Sequence, residues 1–196
     1  MKLPSAERLA EFERTAVDLA RLAAVEITGA LGRTLAVRYK GAETEAAPHD
    51  PVSEVDHRVE ELIRARLARE FPDHDIVGEE FEAHQGSGGE FAWVLDPIDG
   101  TTNFVNGFLM FAASIGILHL GRPVVGVVWC STSHALRAGV YHAHLGGSLL
   151  FDEEPLEVRR NLAIRRHLAG DPQGLSTRPC PGTRARPDRP RSSARL

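Results

Sequence analysis

Apolar residues recur at helical spacing near the start of the chain, where Leu9, Phe12, Ala16, Leu19, Ala23 and Ile27 fall on one face of a long amphipathic helix. Ser5 stands as its N-cap and Glu7 in its first turn, and its charged residues read as a solvated face. Residues 33–50 form a polar connection with few order signals before Pro48-His49-Asp50. A second helix is predicted from about Glu54 to Arg69, burying Val55, Val59, Leu62, Ile63 and Leu67, and Pro72 prevents its continuation. The pattern then becomes strand-like at Asp75–Val77, Phe91–Leu95, Phe111–Leu120, Pro123–Cys130 and Leu136–Ala143, with a weaker run near Leu149. Gly121-Arg122 reads as a short hairpin turn and Gly146-Gly147 as another turn. His142 and His144 alternate with strand period and read as solvated. Two helices followed by hairpin-connected strands predict an α+β fold, with the helices laid on one mostly antiparallel sheet.

Residues 171–196 break this pattern. They hold six arginines, two aspartates and five prolines, with no Val, Ile, Met, Phe, Trp or Tyr. Such composition buries too little apolar surface to offset the entropy of ordering. The expected organisation is a domain over residues 1–160 and an Arg/Pro-rich tail over 161–196, read as a disordered basic tail or as the product of a frameshifted coding frame. The net charge of −4 therefore divides into an acidic body and a basic end. A chain of 196 residues, 42% apolar, has room for one core. Its two cysteines, Cys130 and Cys180, have no metal-site spacing and read as reduced thiols. No apolar run approaches a membrane span and no signal-peptide core is seen, so the chain reads as soluble and cytoplasmic, without membrane or nucleic-acid partners.

The chemistry concentrates in Trp93-Val94-Leu95-Asp96-Pro97-Ile98-Asp99-Gly100-Thr101-Thr102-Asn103-Phe104. An apolar run delivers two aspartates into an expected turn stiffened by Pro97. Hard cations such as Mg²⁺ take oxygen ligands, commonly one or two carboxylates plus substrate phosphate oxygens. Ile98 can offer only its backbone carbonyl. Gly100 permits close backbone approach, and a helix starting at Thr101 or Thr102 would aim N–H groups at an anion. Two further segments carry acids, Asp50-Pro51-Val52-Ser53-Glu54-Val55-Asp56 and Ile76-Val77-Gly78-Glu79-Glu80. The first also fits a helix capping box, and the second also fits a pair of plain surface acids.

Together these strings, with Phe111–Gly116 and Gly126–Val128, resemble the inositol monophosphatase family of Mg²⁺-dependent sugar-phosphate phosphatases over about residues 5–160. The resemblance implies Mg²⁺ as cofactor and a phosphoric monoester hydrolase acting on an inositol phosphate or related small phosphomonoester. It implies Glu79, Asp96, the Ile98 carbonyl and Asp99 as metal ligands, Asp56 and Thr101 as the catalytic pair, and Gly100 and Thr101 as phosphate-binding. It is compatible with a homodimer. The family's Trp-Asp-x-Ala-Ala motif, which supplies another metal ligand, has no counterpart, because neither Trp93 nor Trp129 is followed by Asp. A truncated, weakly active enzyme lacking the C-terminal α/β subdomain is therefore expected, with a non-catalytic remnant or binding module as the alternative. An exposed apolar surface is expected around the Phe111–Cys130 strands, where that subdomain would dock.

Overall fold

The computed structural model describes residues 3–32, 37–40, 50–86 and 89–156, so the expected tail and most of the 33–50 connection lie outside the described residues. Helix α1 spans Ala6–Ala30, with the Ser5 hydroxyl accepting the Arg8 N–H at 3.2 Å. That bond satisfies one of the donors a helix start leaves open. The helix ends where the Leu31 N–H reaches Thr28 O and Gly32 turns to positive φ. Helix α2 spans Glu54–Glu70 and buries Val55, Val59, Ile63 and Leu67. Between them, β1 (Val37–Lys40) and β2 (Asp50–Ser53) pair antiparallel. This corrects the reading of residues 33–50 as connection alone, since β1 has too few residues to announce an alternating pattern.

Strands β3 (Asp75–Val77), β4 (Phe91–Asp99), β5 (Ala112–His119), β6 (Arg122–Cys130), β7 (Gly139–His144), β8 (Leu150–Phe151) and β9 (Glu154–Pro155) form one sheet in chain order. Every pairing is antiparallel except β3 with β4. The fold is α+β. Two details differ from expectation. The β5–β6 turn is Leu120-Gly121, both at positive φ, and Arg122 already belongs to β6. Strand β7 begins at Gly139, because Leu136 occupies a left-handed turn position and is exposed.

Helix α1 lies against β5, β6 and β7, and α2 against β4. The side chains of Trp93, Ile115, Ile117, Val127 and Trp129 are buried on the helix-covered side together with Phe12, Leu19 and Ile27. Burying each such side chain contributes about 1.5–3 kcal/mol. The alternate positions leave Val77 and Val94 exposed, with Gly116 and Val128 partly accessible. Part of the sheet's second face is therefore apolar and open, chiefly on β3 and β4 and less so on the Phe111–Cys130 strands, around which an exposed apolar surface was expected. Among the described residues, no helix is long and apolar enough to cross a membrane.

Two buried polar clusters inside this core are paired. Glu13, on the buried face of α1, takes His142 Nδ1 at 2.6 Å on one oxygen and His144 Nδ1 on the other. His142 and Glu13 are both nearly inaccessible, and His142 Nε2 faces the Asp152 carbonyl. The reading of these histidines as a solvated face is thus wrong: a strand period shows which residues share a face, not which face is covered. His74 is buried among Phe12, Phe71, Phe91 and Trp93, and Trp93 Nε1–H donates to its Nδ1 at 3.0 Å. Indole is a donor only, so Nδ1 must be the unprotonated nitrogen. Burial first, and then the Arg8 charge, hold the His74 ring below its ordinary value near 6.5, against the opposing charges of Asp73 and Asp75.

Because the folded ring resists protonation, this residue's contribution to stability is complete above pH 6.5 and is lost as pH falls below it toward the depressed folded value. We expect His74→Phe to keep the aromatic packing but strand the buried Trp93 N–H, costing about 1–3 kcal/mol near neutral pH. Denaturant melts should also show the variant losing less stability than the parent between neutral and acid pH. Equal acid sensitivity in both proteins would contradict this role.

Candidate active site

The two aspartates expected in a turn lie instead on a strand. In the β4–β5 ladder Asp96 stands opposite Ser114 and Asp99 opposite Ala112, so three steps along β4 match two along β5. This is a one-residue bulge around Pro97-Ile98. In a regular strand residues three apart face opposite sides of the sheet. The bulge restores them to one side: Trp93, Leu95 and Ile98 are buried, while Val94, Asp96 and Asp99 are on the more accessible face. Proline suits the position, because a bulge residue is excused from the ladder bond it cannot donate.

Beyond the bulge, Gly100 adopts the left-handed conformation at φ 85°, and a Cβ there would lie 3.0 Å from the Met110 carbonyl. Gly100 caps the short helix α3 (Thr101–Val105), its carbonyl accepting the Asn103 and Phe104 N–H groups. Thr101 Oγ1 lies 3.1 Å from Asp56 Oδ1 and 2.9 Å from the Ile98 carbonyl. One hydroxyl hydrogen faces two acceptors, so it is shared between them. Asp56 is 2% exposed in the first turn of α2, where the helix dipole favours a negative charge.

Glu79 arrives from the neighbouring strand. Parallel pairing sets Val77, the last residue of β3, beside Val94, and Glu79 follows two residues beyond that strand end, as Asp96 follows Val94 on β4. The electrostatics agree. The Asp96 carboxyl is pushed up to about 7 by burial, then by the charges of Glu79 and Asp99, a hydrogen bond with Glu79, and the charge of Asp56. Its Oδ1 is buried without a hydrogen-bond partner. Across the sheet, Asp99, Ala112 and Cys130 lie in one row, and the Cys130 thiol is pushed up by burial and by the Asp99 charge. Among the described residues, every influence on Asp96 acts to keep its proton. As they stand, no three Asp, Glu, His or Cys groups among the described residues are drawn together tightly enough to enclose an ion.

The structure thus gathers Glu79, Asp96 and Asp99 around one carboxyl, with Asp56, Thr101 and the Ile98 carbonyl linked by hydrogen bonds beside it. The donor set is all oxygen, with one buried acceptor unsatisfied, which fits a hard divalent cation. Glu60, taken up below, was missed by sequence reasoning. Its signal was an acid inside the apolar stripe of α2, four residues after Asp56, where Val59 and Ile63 are buried.

The sequence model of the Inositol monophosphatase family matches residues 8–183, continuing past the end of the motif resemblance near residue 160. A fructose-1,6-bisphosphatase/inositol-1-monophosphatase of Aquifex aeolicus is 40% identical over 113 residues, covering 58% of this chain and 42% of the relative. A putative Nus factor SuhB of Neisseria meningitidis is 32% identical over 159 residues, covering 81% of this chain and 58% of the relative. The crystal structure of the extragenic suppressor protein suhB of Bartonella henselae superposes with a TM-score of 0.65 at 28% identity, over 75% of this chain and 55% of that one. The chain belongs to the inositol monophosphatase family. It spans between 42% and 58% of the length of these relatives.

A carboxyl whose folded value is raised keeps its proton where the unfolded chain has lost it, so its cost to stability grows from about pH 3.8 to about 7 and is constant above. In cation-free buffer Asp96→Asn should therefore stabilise the chain at pH 8 by about 1–2 kcal/mol after solvent screening, and change little at pH 4. Urea melts of both proteins at the two pH values check this. A destabilised Asn variant at pH 8 would show that Asp96 is not held under like-charge crowding.

Proposed function

We propose that the chain carries the first half of a phosphomonoesterase site, acting with Mg²⁺ on an inositol phosphate or a related small phosphomonoester. One observation supports this reading above the rest: a buried Asp96 carboxyl with an unsatisfied oxygen, pushed up to about 7 first by burial and then by the charges of Glu79, Asp99 and Asp56 and a hydrogen bond with Glu79. Glu79, Asp96, Asp99 and the Ile98 carbonyl would hold the ion. Bound there, a divalent cation supplies positive charge for the phosphate and lowers the pKa of a coordinated water.

The chain's own groups do the remainder. Asp56 accepts a hydrogen bond from the Thr101 hydroxyl, and this pair is suited to orient a water molecule and take its proton. A hydroxyl alone is a poor base, so the carboxylate is the group that makes the transfer feasible. Were the Ile98 carbonyl to hold the ion, the hydroxyl hydrogen it now shares would be left to Asp56. The Gly100 and Thr101 N–H groups would meet phosphate oxygens, and the left-handed Gly100 leaves the approach free of a side chain.

A second reading has its own support. The sequence holds no Trp-Asp pair to supply the family's further metal ligand, and a relative 32% identical to this chain carries the name of a putative Nus factor. On that reading the chain binds a cation or a partner without turning over substrate. The two readings separate in one assay. Purified chain with millimolar Mg²⁺ and a panel of sugar phosphates, inositol monophosphate included, should show turnover above an Asp96→Asn control. It should fall on the order of a hundredfold or more below a full-length relative, because losing one source of charge stabilisation costs about 3 kcal/mol. Turnover equal to the Asn control would favour the binding module.

A further inference from the structure

Glu60 is fully buried in α2, and its carboxylate is committed on both oxygens. Oε1 takes Arg64 Nε at 2.7 Å, one helical turn on, and Oε2 takes the backbone N–H of Glu80 at 2.8 Å. Arg64 then donates from Nη2 to the Phe81 carbonyl at 3.3 Å and sets its guanidinium over the Phe81 ring. The backbone of Gly78 lies so close that a Cβ there would sit 2.0 Å from Glu60 Oε1. A glutamate tip could swing away from such a contact on a surface, but this one is enclosed and bonded on both oxygens. Residues 78–81, which leave β3 and contain Glu79, are therefore held on α2 at three points.

We infer that Glu60, braced by Arg64, is the positioning residue that presents Glu79 to Asp96. This rests on the reading of Glu79 and Asp96 as cation ligands given above. Glu79 has no helix or long strand to direct it, since β3 ends at Val77. Its backbone is fixed instead by a buried anion that accepts the very next N–H. The arrangement serves Glu79 as hydrogen-bonded outer groups serve metal ligands elsewhere, where removing one typically weakens metal affinity 10–100-fold.

The test titrates Mn²⁺ alone into the full chain, reading free Mn²⁺ by electron paramagnetic resonance, for the parent, Glu60→Ala, Glu60→Gln, Gly78→Ala and Asp96→Asn. Glu60→Ala should bind Mn²⁺ at least tenfold more weakly at a temperature where circular dichroism shows it folded. Glu60→Gln keeps an oxygen for the Glu80 N–H and should stay within about threefold of the parent. Should Glu60→Ala not fold, Gly78→Ala displaces the carboxylate without removing it and should show the same loss. A variant with a lower melting temperature but parental Mn²⁺ affinity would overturn the inference, because a merely structural role moves only the first. If the parent binds Mn²⁺ no better than Asp96→Asn, the metal-site reading fails by itself. Amide exchange at Glu80 then decides the clamp: acceleration of tenfold or more in Glu60→Ala supports it, and unchanged protection overturns it.

Discussion

The one-residue bulge at Pro97-Ile98 governs where charge can sit in this molecule. Without it, Asp99 would point into the helix-covered core beside Trp93 and Leu95, and Ile98 would turn toward solvent. A carboxylate placed there would face a desolvation penalty of several kcal/mol with no partner. With the bulge, two aspartates leave the same face of β4, and the adjoining ends of β3 and α2 add Glu79 and Asp56. The ladder from Phe91 to Asp96 is regular, so the distortion is confined to the end of the strand that needs it.

The crowding of like charge is tolerable only because rigid elements surround it. Asp96 lies on a nine-residue strand held by β3 on one side and β5 on the other. Asp56 is fixed by the first turn of α2, and Thr101 by Gly100, whose left-handed geometry turns the chain directly from strand into helix. Glu79 is the exception, carried on a turn and steadied from behind by Glu60 and Arg64. Repulsion that would separate mobile side chains is instead retained by the framework, and it adds to burial in raising the Asp96 carboxyl. A divalent cation is the natural complement of such a site.

Much of this was legible in the residues. Ser5 announced the start of α1, the apolar periods located both helices, and alternation located β3 through β7 to within a few residues. The acids that gather at Asp96 were all named from sequence, through the family resemblance that their motif strings carry rather than through local pattern alone. What escaped has a common cause. The bulge exists only relative to the register of β5, and the burial of Glu13 becomes visible only when His142 and His144 are brought to it across the sheet. Glu60 is of the same kind, since its partner N–H lies twenty residues away in the chain. The β1–β2 pair escaped because neither strand exceeds four residues. Contacts between distant segments decide these features, and local pattern carries no record of them.

The most direct test follows the Asp96 side-chain carboxyl carbon by NMR through a pH titration, with and without Mg²⁺. In cation-free buffer its midpoint should lie near 7, and millimolar Mg²⁺ should move it to lower pH as the cation takes the proton's place. A midpoint near the ordinary value of 3.8, unmoved by Mg²⁺, would show that the carboxylates do not converge and that the site is not a cation site.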